Sequence, residues 1–162
     1  MKNLNQLLRQ PLQPVPLSLA IFVLALALIG FADATYLTVE HYRNVIPPCS
    51  VVSGCEQVLT SAYSTIAGLP VSLIGAIYYF SVLLGAAAYL ESRKTFFLKW
   101  ALLLSILGFL ASLWFVYLQV FVIHSLCAYC LGSAVTSTVL GVTALVVFSK
   151  KGRSQQLNDE AD

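Results

Sequence analysis

Four long apolar runs divide the sequence, and short polar stretches separate them. The first covers Leu17 to about Val39, the second Pro70 to Leu90, the third Phe97 to about Val122 and the fourth Leu126 to Phe148. Each reaches the roughly 20 residues that a helix needs to cross a 30 Å hydrocarbon layer. The pattern predicts an all-α integral membrane protein, a four-helix transmembrane bundle joined by one long loop and two short turns. Small residues recur inside the runs, notably Gly75, Ala76 and Gly85 to Ala88 in the second and Ser105, Gly108 and Ser112 in the third. Such positions let helices approach closely in lipid.

The long loop, His41 to Leu69, turns at Pro47 and Pro48. Farther on, Glu56 to Ile66 reads as a short amphipathic helix, with Val58, Leu59, Ala62 and Ile66 on one face and Gln57, Thr60, Ser61 and Ser64 on the other. That pattern suits a helix lying in the membrane interface. Gly68 can stop it, and Pro70 fits the first turn of the next span. Residues 1–16, broken by Pro11, Pro14 and Pro16, read as an irregular cytoplasmic lead-in, 17–149 as the transmembrane unit and 150–162 as a disordered polar tail. A basic start before an apolar run also fits a signal peptide. However, the run exceeds an h-region and shows no small-x-small cleavage site.

Composition supports this reading. Of 162 residues, 59% are hydrophobic and 10% charged, whereas a soluble domain carries about 25% charged residues. Mean hydropathy is +0.84. A net charge of +2, scattered along the chain, gives no reason to expect nucleic acid as a partner. The basic residues fix an orientation. Lys2, Arg9, Arg93, Lys94, Lys99, Lys150, Lys151 and Arg153 fall on one side of the four spans and only Arg43 on the other. Both termini are therefore expected in the cytoplasm of a bacterium, with the protein multi-pass in its inner (plasma) membrane. The cysteine-bearing loops then face the oxidising, periplasmic or outer side, where disulfide chemistry is possible.

The four cysteines form two close pairs, Cys49 with Cys55 and Cys127 with Cys130. Three readings are open. Four thiolates could hold zinc, although C-x5-C with CxxC and no other ligand is an unusual zinc pattern. Two structural disulfides could staple the outer loops, although a helical CxxC bridge closes so small a loop that it removes little chain entropy. A thiol–disulfide relay explains more. Cys127 and Cys130 lie in the first turn of the fourth span, where the helix dipole favours thiolate. Cys130 is about 4.5 Å deeper than Cys127 at 1.5 Å rise per residue. An electron acceptor at that depth must dissolve in lipid, and a quinone does. Asp33, inside the first span, is expensive in lipid and so a functional candidate. The plainer expectation is a carboxyl near the outer interface, hydrogen-bonded to the loop or a neighbouring helix.

The order of Tyr36-Leu37-Thr38, Cys49, Cys55, Val58-Leu59, Ser61, Tyr63-Ser64, Gly68-Leu69-Pro70 and Cys127-Ala128-Tyr129-Cys130 resembles the bacterial homologues of vitamin K epoxide reductase over about residues 17 to 148. The resemblance implies a quinone of ubiquinone or menaquinone type, with Cys130 the cysteine that reacts with it and Cys127 its partner. Cys55 would exchange with Cys127. Cys49 would exchange with a thioredoxin-fold (DsbA-like) protein on the outer side. Ser61 would sit at the quinone pocket and hydrogen-bond a ring carbonyl; its plainer reading is a solvated hydroxyl on the polar face of the loop helix. Many bacterial members carry a fused thioredoxin-like domain. This chain has four spans only, so a separate partner is expected. The implied activity is that of a protein-dithiol:quinone oxidoreductase, a quinone-dependent thiol–disulfide enzyme. The alternative is a small membrane scaffold or transporter subunit with structural disulfides.

Overall fold

The computed structural model describes residues 15–49 and 54–159, with side chains through Lys150. Residues 1–14 of the expected lead-in (1–16), residues 50–53 between the loop cysteines and the last three residues of the tail lie outside the described residues.

Four helices are long and apolar enough to span a membrane. The first, α1, is Leu17–Tyr42. A five-residue helix, α2 (Cys55–Leu59), and a two-stranded hairpin, β1 (Thr65–Ile66) with β2 (Leu69–Pro70), form the loop that follows. Then come α3 (Val71–Ser92), α4 (Thr95–Tyr117), a π-helical turn over Leu118–Val122, and α5 (Ala128–Asp159).

Small residues decide how the helices meet. The buried positions of α1 include Ala20, Val23, Ala27, Gly30, Ala34 and Leu37, which repeat at alternating steps of three and four. They make one narrow seam along the helix. α3 lies against that seam. Its Tyr79 ring fills the space where a Gly30 Cβ would stand, and the Tyr79 hydroxyl crosses to α5, donating to the Ser133 carbonyl at 2.7 Å. Gly108 accommodates Tyr78 and Gly141 accommodates Phe109 in the same way. The core joins Val82 and Ala86 of α3, Leu98 and Leu102 of α4, and Leu140 and Ala144 of α5. Large apolar side chains such as Leu28, Ile29, Trp100, Leu107 and Leu110 are exposed instead. On a water-soluble bundle that would be an aggregation hazard; here it is the surface a bilayer covers. The chain is a multi-pass membrane protein.

Two expectations need correction. The loop helix does not run from Glu56 to Ile66; it ends at Leu59. The hydroxyls of Thr60, Ser61 and Ser64 donate to the carbonyls of Glu56, Val58 and Ser61, a local competition that turns the backbone out of the helix. Thr65 and Ile66, both β-branched, then go extended. The hairpin reverses at Ala67 (φ 51°) and Gly68 (φ 82°), so Gly68 supplies a left-handed turn rather than a helix stop. The apolar face of α2 is also not free for lipid, because Val58 is buried against cysteines. The second correction concerns the tail. α5 continues to Asp159, since no proline interrupts the backbone ladder after Phe148.

Candidate functional site

The segment between α4 and α5 explains how the CxxC pair is held. α4 does not stop at Tyr117 but widens into the π-helical turn, a distortion often found at functional positions. The buried Gln119 in that turn donates from Nε2 to the Phe115 carbonyl and accepts, through Oε1, the backbone N–H of Cys127 at 2.9 Å. It therefore satisfies one of the orphan donors at the start of α5 with an amide from the preceding helix. His124 adopts a left-handed conformation (φ 54°) and completes the reversal.

Cys127 is fully buried. It is a free thiol, as is the half-buried Cys130. The Cys130 backbone N–H points at the Cys127 Sγ from 3.4 Å. The Cys127 pKa is lowered to about 7, chiefly by a hydrogen bond from the Cys130 thiol; burial opposes this, the N–H groups of Cys130 and Tyr129 assist, and the nearby Asp33 carboxylate opposes. The helix start thus holds a sulfur poised to be a nucleophile near neutral pH.

The loop pair packs on this thiol. Cys49 and Cys55 form a disulfide with Cα atoms 6.2 Å apart. Cys55, Val58 and Cys127 make one buried cluster, with Cys49, Leu59, Tyr129 and Cys130 around it. Two contacts hold the loop there. The Tyr129 hydroxyl donates to the Pro48 carbonyl at 3.3 Å, next in sequence to Cys49. Gly54 approaches so closely that a Cβ would lie 2.7 Å from the backbone N and O of Leu126.

Behind the cysteines a cavity of about 860 Å³ opens between α1, α3, α4, α5 and the loop. Of the cysteines, Cys130 lines it; Cys49, Cys55 and Cys127 do not. Ser61 also lines it, but its hydroxyl hydrogen is committed to the Val58 carbonyl at 2.8 Å, so it faces the cavity as an acceptor. Three buried polar atoms of the wall have no hydrogen-bond partner among the described residues: Asp33 Oδ2, Tyr78 Oη and Ser137 Oγ. The walls are otherwise mostly apolar. A flat apolar ring carrying carbonyl oxygens fits such a space, because the Tyr78 and Ser137 hydroxyls offer donors to otherwise unpaired oxygens. Among the described residues no group of three or more His, Cys, Asp or Glu side chains is placed to hold a metal ion.

The structure thus brings all four cysteines to one end of the bundle, and puts Ser61 and Cys130 in one cavity. The roles of Gln119, Tyr129 and Gly54 were not legible in advance. A lone amide near the end of a span, eight residues before a cysteine, was the available sign for Gln119. Asp33 lines the same cavity, its Oδ2 buried without a hydrogen-bond partner among the described residues.

The family model for the vitamin K epoxide reductase family matches residues 21–145, well over half of the chain. No curated protein gives a match.

Proposed function

The chain belongs to the vitamin K epoxide reductase family, and from that premise we propose that it takes electrons from a thioredoxin-fold protein and passes them, sulfur to sulfur, to a membrane quinone. The family implies a membrane oxidoreductase acting on thiols and quinones. The observation that carries the finer reading is the placement of the two thiols of the CxxC pair. Cys127 is sealed against the loop cysteines, while Cys130 lines a quinone-sized cavity.

In this reading, a partner thiolate attacks Cys49 of the loop disulfide and releases Cys55. Cys55 then attacks Cys127 of an oxidised CxxC pair and frees Cys130 at the cavity. The partner's second thiolate displaces Cys49 and leaves as the partner's disulfide, and Cys49 attacks Cys55, re-closing the loop pair and freeing Cys127. A closed loop pair beside a reduced CxxC pair is, in this reading, the state in which electrons have arrived at the inner pair. Bound in the cavity, the quinone supplies a two-electron acceptor. The chain's own residues orient it by the Tyr78 and Ser137 hydroxyl donors, with Ser61 contributing to the wall, and exclude water by the apolar walls. The uneven distribution of basic residues supports an outward-facing cysteine end, in a bacterial plasma membrane. A scaffold with two structural disulfides gives no reason for one CxxC sulfur to open onto a cavity, and Cys130 lines one.

The test is quinone reduction by purified full-length protein, driven by a small dithiol and followed by quinone absorbance. Cys130→Ser should abolish it. Cys49→Ala should retain part of it while losing oxidation of a thioredoxin-fold substrate. Turnover that survives Cys130→Ser would refute the reading.

A further inference from the structure

We propose that Asp33 is the proton-transfer group of the quinone site, handing a proton to the ring oxygen being reduced and recovering one from the CxxC thiols. The proposal rests on the cavity being the quinone site, as argued above.

Asp33 is in the third quarter of α1, far from either end of that helix. It lines the same cavity as Cys130. Its Oδ2 is sealed from solvent and has no hydrogen-bond partner among the described residues. Lysine and arginine are absent from the described wall of the cavity, so no cation there neutralises the carboxylate. An unpaired carboxylate at membrane depth is costly and is kept only where it serves a purpose. Its charge also acts on both CxxC sulfurs, which puts it within electrostatic reach of the reacting pair.

The other titratable wall groups are less suited. Tyr79 holds its hydroxyl hydrogen on the Ser133 carbonyl. Glu40 is paired with Arg43 at 3.2 Å. His41 and Tyr63 belong to the last turn of α1 and to the loop. The Tyr78 hydroxyl lies close to the Ser137 and Ser105 hydroxyls, and a phenol is a far weaker acid than a carboxylic acid and serves better as a hydrogen-bond donor.

The reaction balances as follows. Two S–H bonds, at Cys127 and Cys130, break and one S–S bond forms; two electrons and two protons pass to the quinone, which becomes a quinol. Protonated Asp33 gives one proton to a ring oxygen, and the proton lost by the Cys130 thiol refills it. The Cys127 proton is released to solvent, and solvent supplies the second quinol proton. The reductant is the dithiol substrate and the oxidant is the quinone, so no further reactant is needed.

The experiment compares wild type, Asp33→Asn and Asp33→Glu, full-length and in detergent, with dithiothreitol as donor and short-chain ubiquinone as acceptor. General acid–base groups contribute about 10²- to 10⁴-fold. We expect kcat to fall at least 30-fold in Asp33→Asn, with KM for quinone within threefold, and to recover at least tenfold in Asp33→Glu. A second readout needs no quinone. Asp33 opposes the lowering of the Cys127 pKa, so the pH midpoint for alkylation of Cys127 in the reduced protein should move down in Asp33→Asn. Wild-type protein that fails to reduce quinone overturns the functional reading itself. Wild type that turns over beside Asp33→Asn with kcat within threefold of it overturns the proton-transfer role alone. Asparagine removes a charge from the membrane interior and should not impair folding; if it does, Asp33→Ser is judged by the same rate criterion.

Discussion

Replacing Gly54 by alanine should slow exchange between the two cysteine pairs without disturbing the bundle. Gly54 has φ −103° and ψ 8°, a conformation open to other residues, so the backbone itself does not resist the change. The added Cβ does. It would stand 2.7 Å from the Leu126 backbone N and O and 3.0 Å from the Ser125 Cβ. Two of these neighbours are main-chain atoms just before the CxxC pair and tied down by Gln119, so the loop must lift instead. Overpacking of this kind costs about 1–3 kcal/mol, and lifting the loop to relieve it lowers its docked population by about 5- to 150-fold. The assay uses a Cys49→Ala, Cys130→Ala background, in which Cys55 and Cys127 are the remaining thiols. The initial rate of Cys55–Cys127 disulfide formation under mild oxidation is followed by mass spectrometry of the unreduced peptides. Adding Gly54→Ala should cut that rate at least fivefold, with thermal stability of the detergent-solubilised protein little changed. A rate within twofold of the parent would show that Gly54 does not govern loop docking.

The Cys49→Ala, Cys130→Ala parent should itself accumulate the Cys55–Cys127 bond, because the thiols that would otherwise resolve it are gone; a folded double variant that stays reduced would sink the inward relay. Gln119→Leu leaves the buried Cys127 N–H without its acceptor, a loss of about 1–3 kcal/mol, and should lower the melting temperature measurably, while Gln119→Glu, which keeps an acceptor oxygen, should restore most of it. In the reduced protein, Cys127 should alkylate with a pH midpoint near 7, below its ordinary value of 9.0, because thiolate forms as pH rises through the lowered pKa. Cys130→Ala removes the chief cause of that lowering and should move the midpoint up; an unmoved midpoint would show that the Cys130 thiol is not the cause.

Four spans could be read from the sequence because lipid demands long uninterrupted apolar runs, and no other solvent produces runs of that length together with so few charges. The two cysteine pairs and their shared end of the bundle were equally legible, since the two spans that separate the first and third connections return the chain to the same side. The loop itself was misread. The pattern of Val58, Leu59, Ala62 and Ile66 is helical in period, but Thr60, Ser61 and Ser64 bond their own backbone carbonyls and end the helix early. Periodicity records which face is apolar and is blind to such local competition. Gln119 was invisible for a different reason. Its role depends on a π-helical turn, and nothing in Leu118 to Val122 announces that the helix will widen there. Glycines were visible as small, but which large side chain each one admits, such as Tyr79 at Gly30, is a property of two helices together.

The spacing of the CxxC pair has a consequence for how electrons must travel in the proposed relay. Three residues of helix turn by about 300° and rise 4.5 Å, which leaves the two sulfurs near enough to bond yet aimed about 60° apart. Cys127 thereby enters the cluster with Cys55 and Val58, while Cys130 reaches the cavity wall. With the cysteines two positions apart rather than three, the sulfurs would point about 160° apart and could not share a bond. Cys55 does not line the cavity, so an electron pair from the loop cannot reach an acceptor there except through the Cys127–Cys130 bond. Burial of Cys127 serves the same end from the other side. A neutral-pH nucleophile open to solvent would exchange with any passing disulfide, and here the Cys49–Cys55 loop covers it. Access to Cys127 is then granted to Cys55, the sulfur already packed against it.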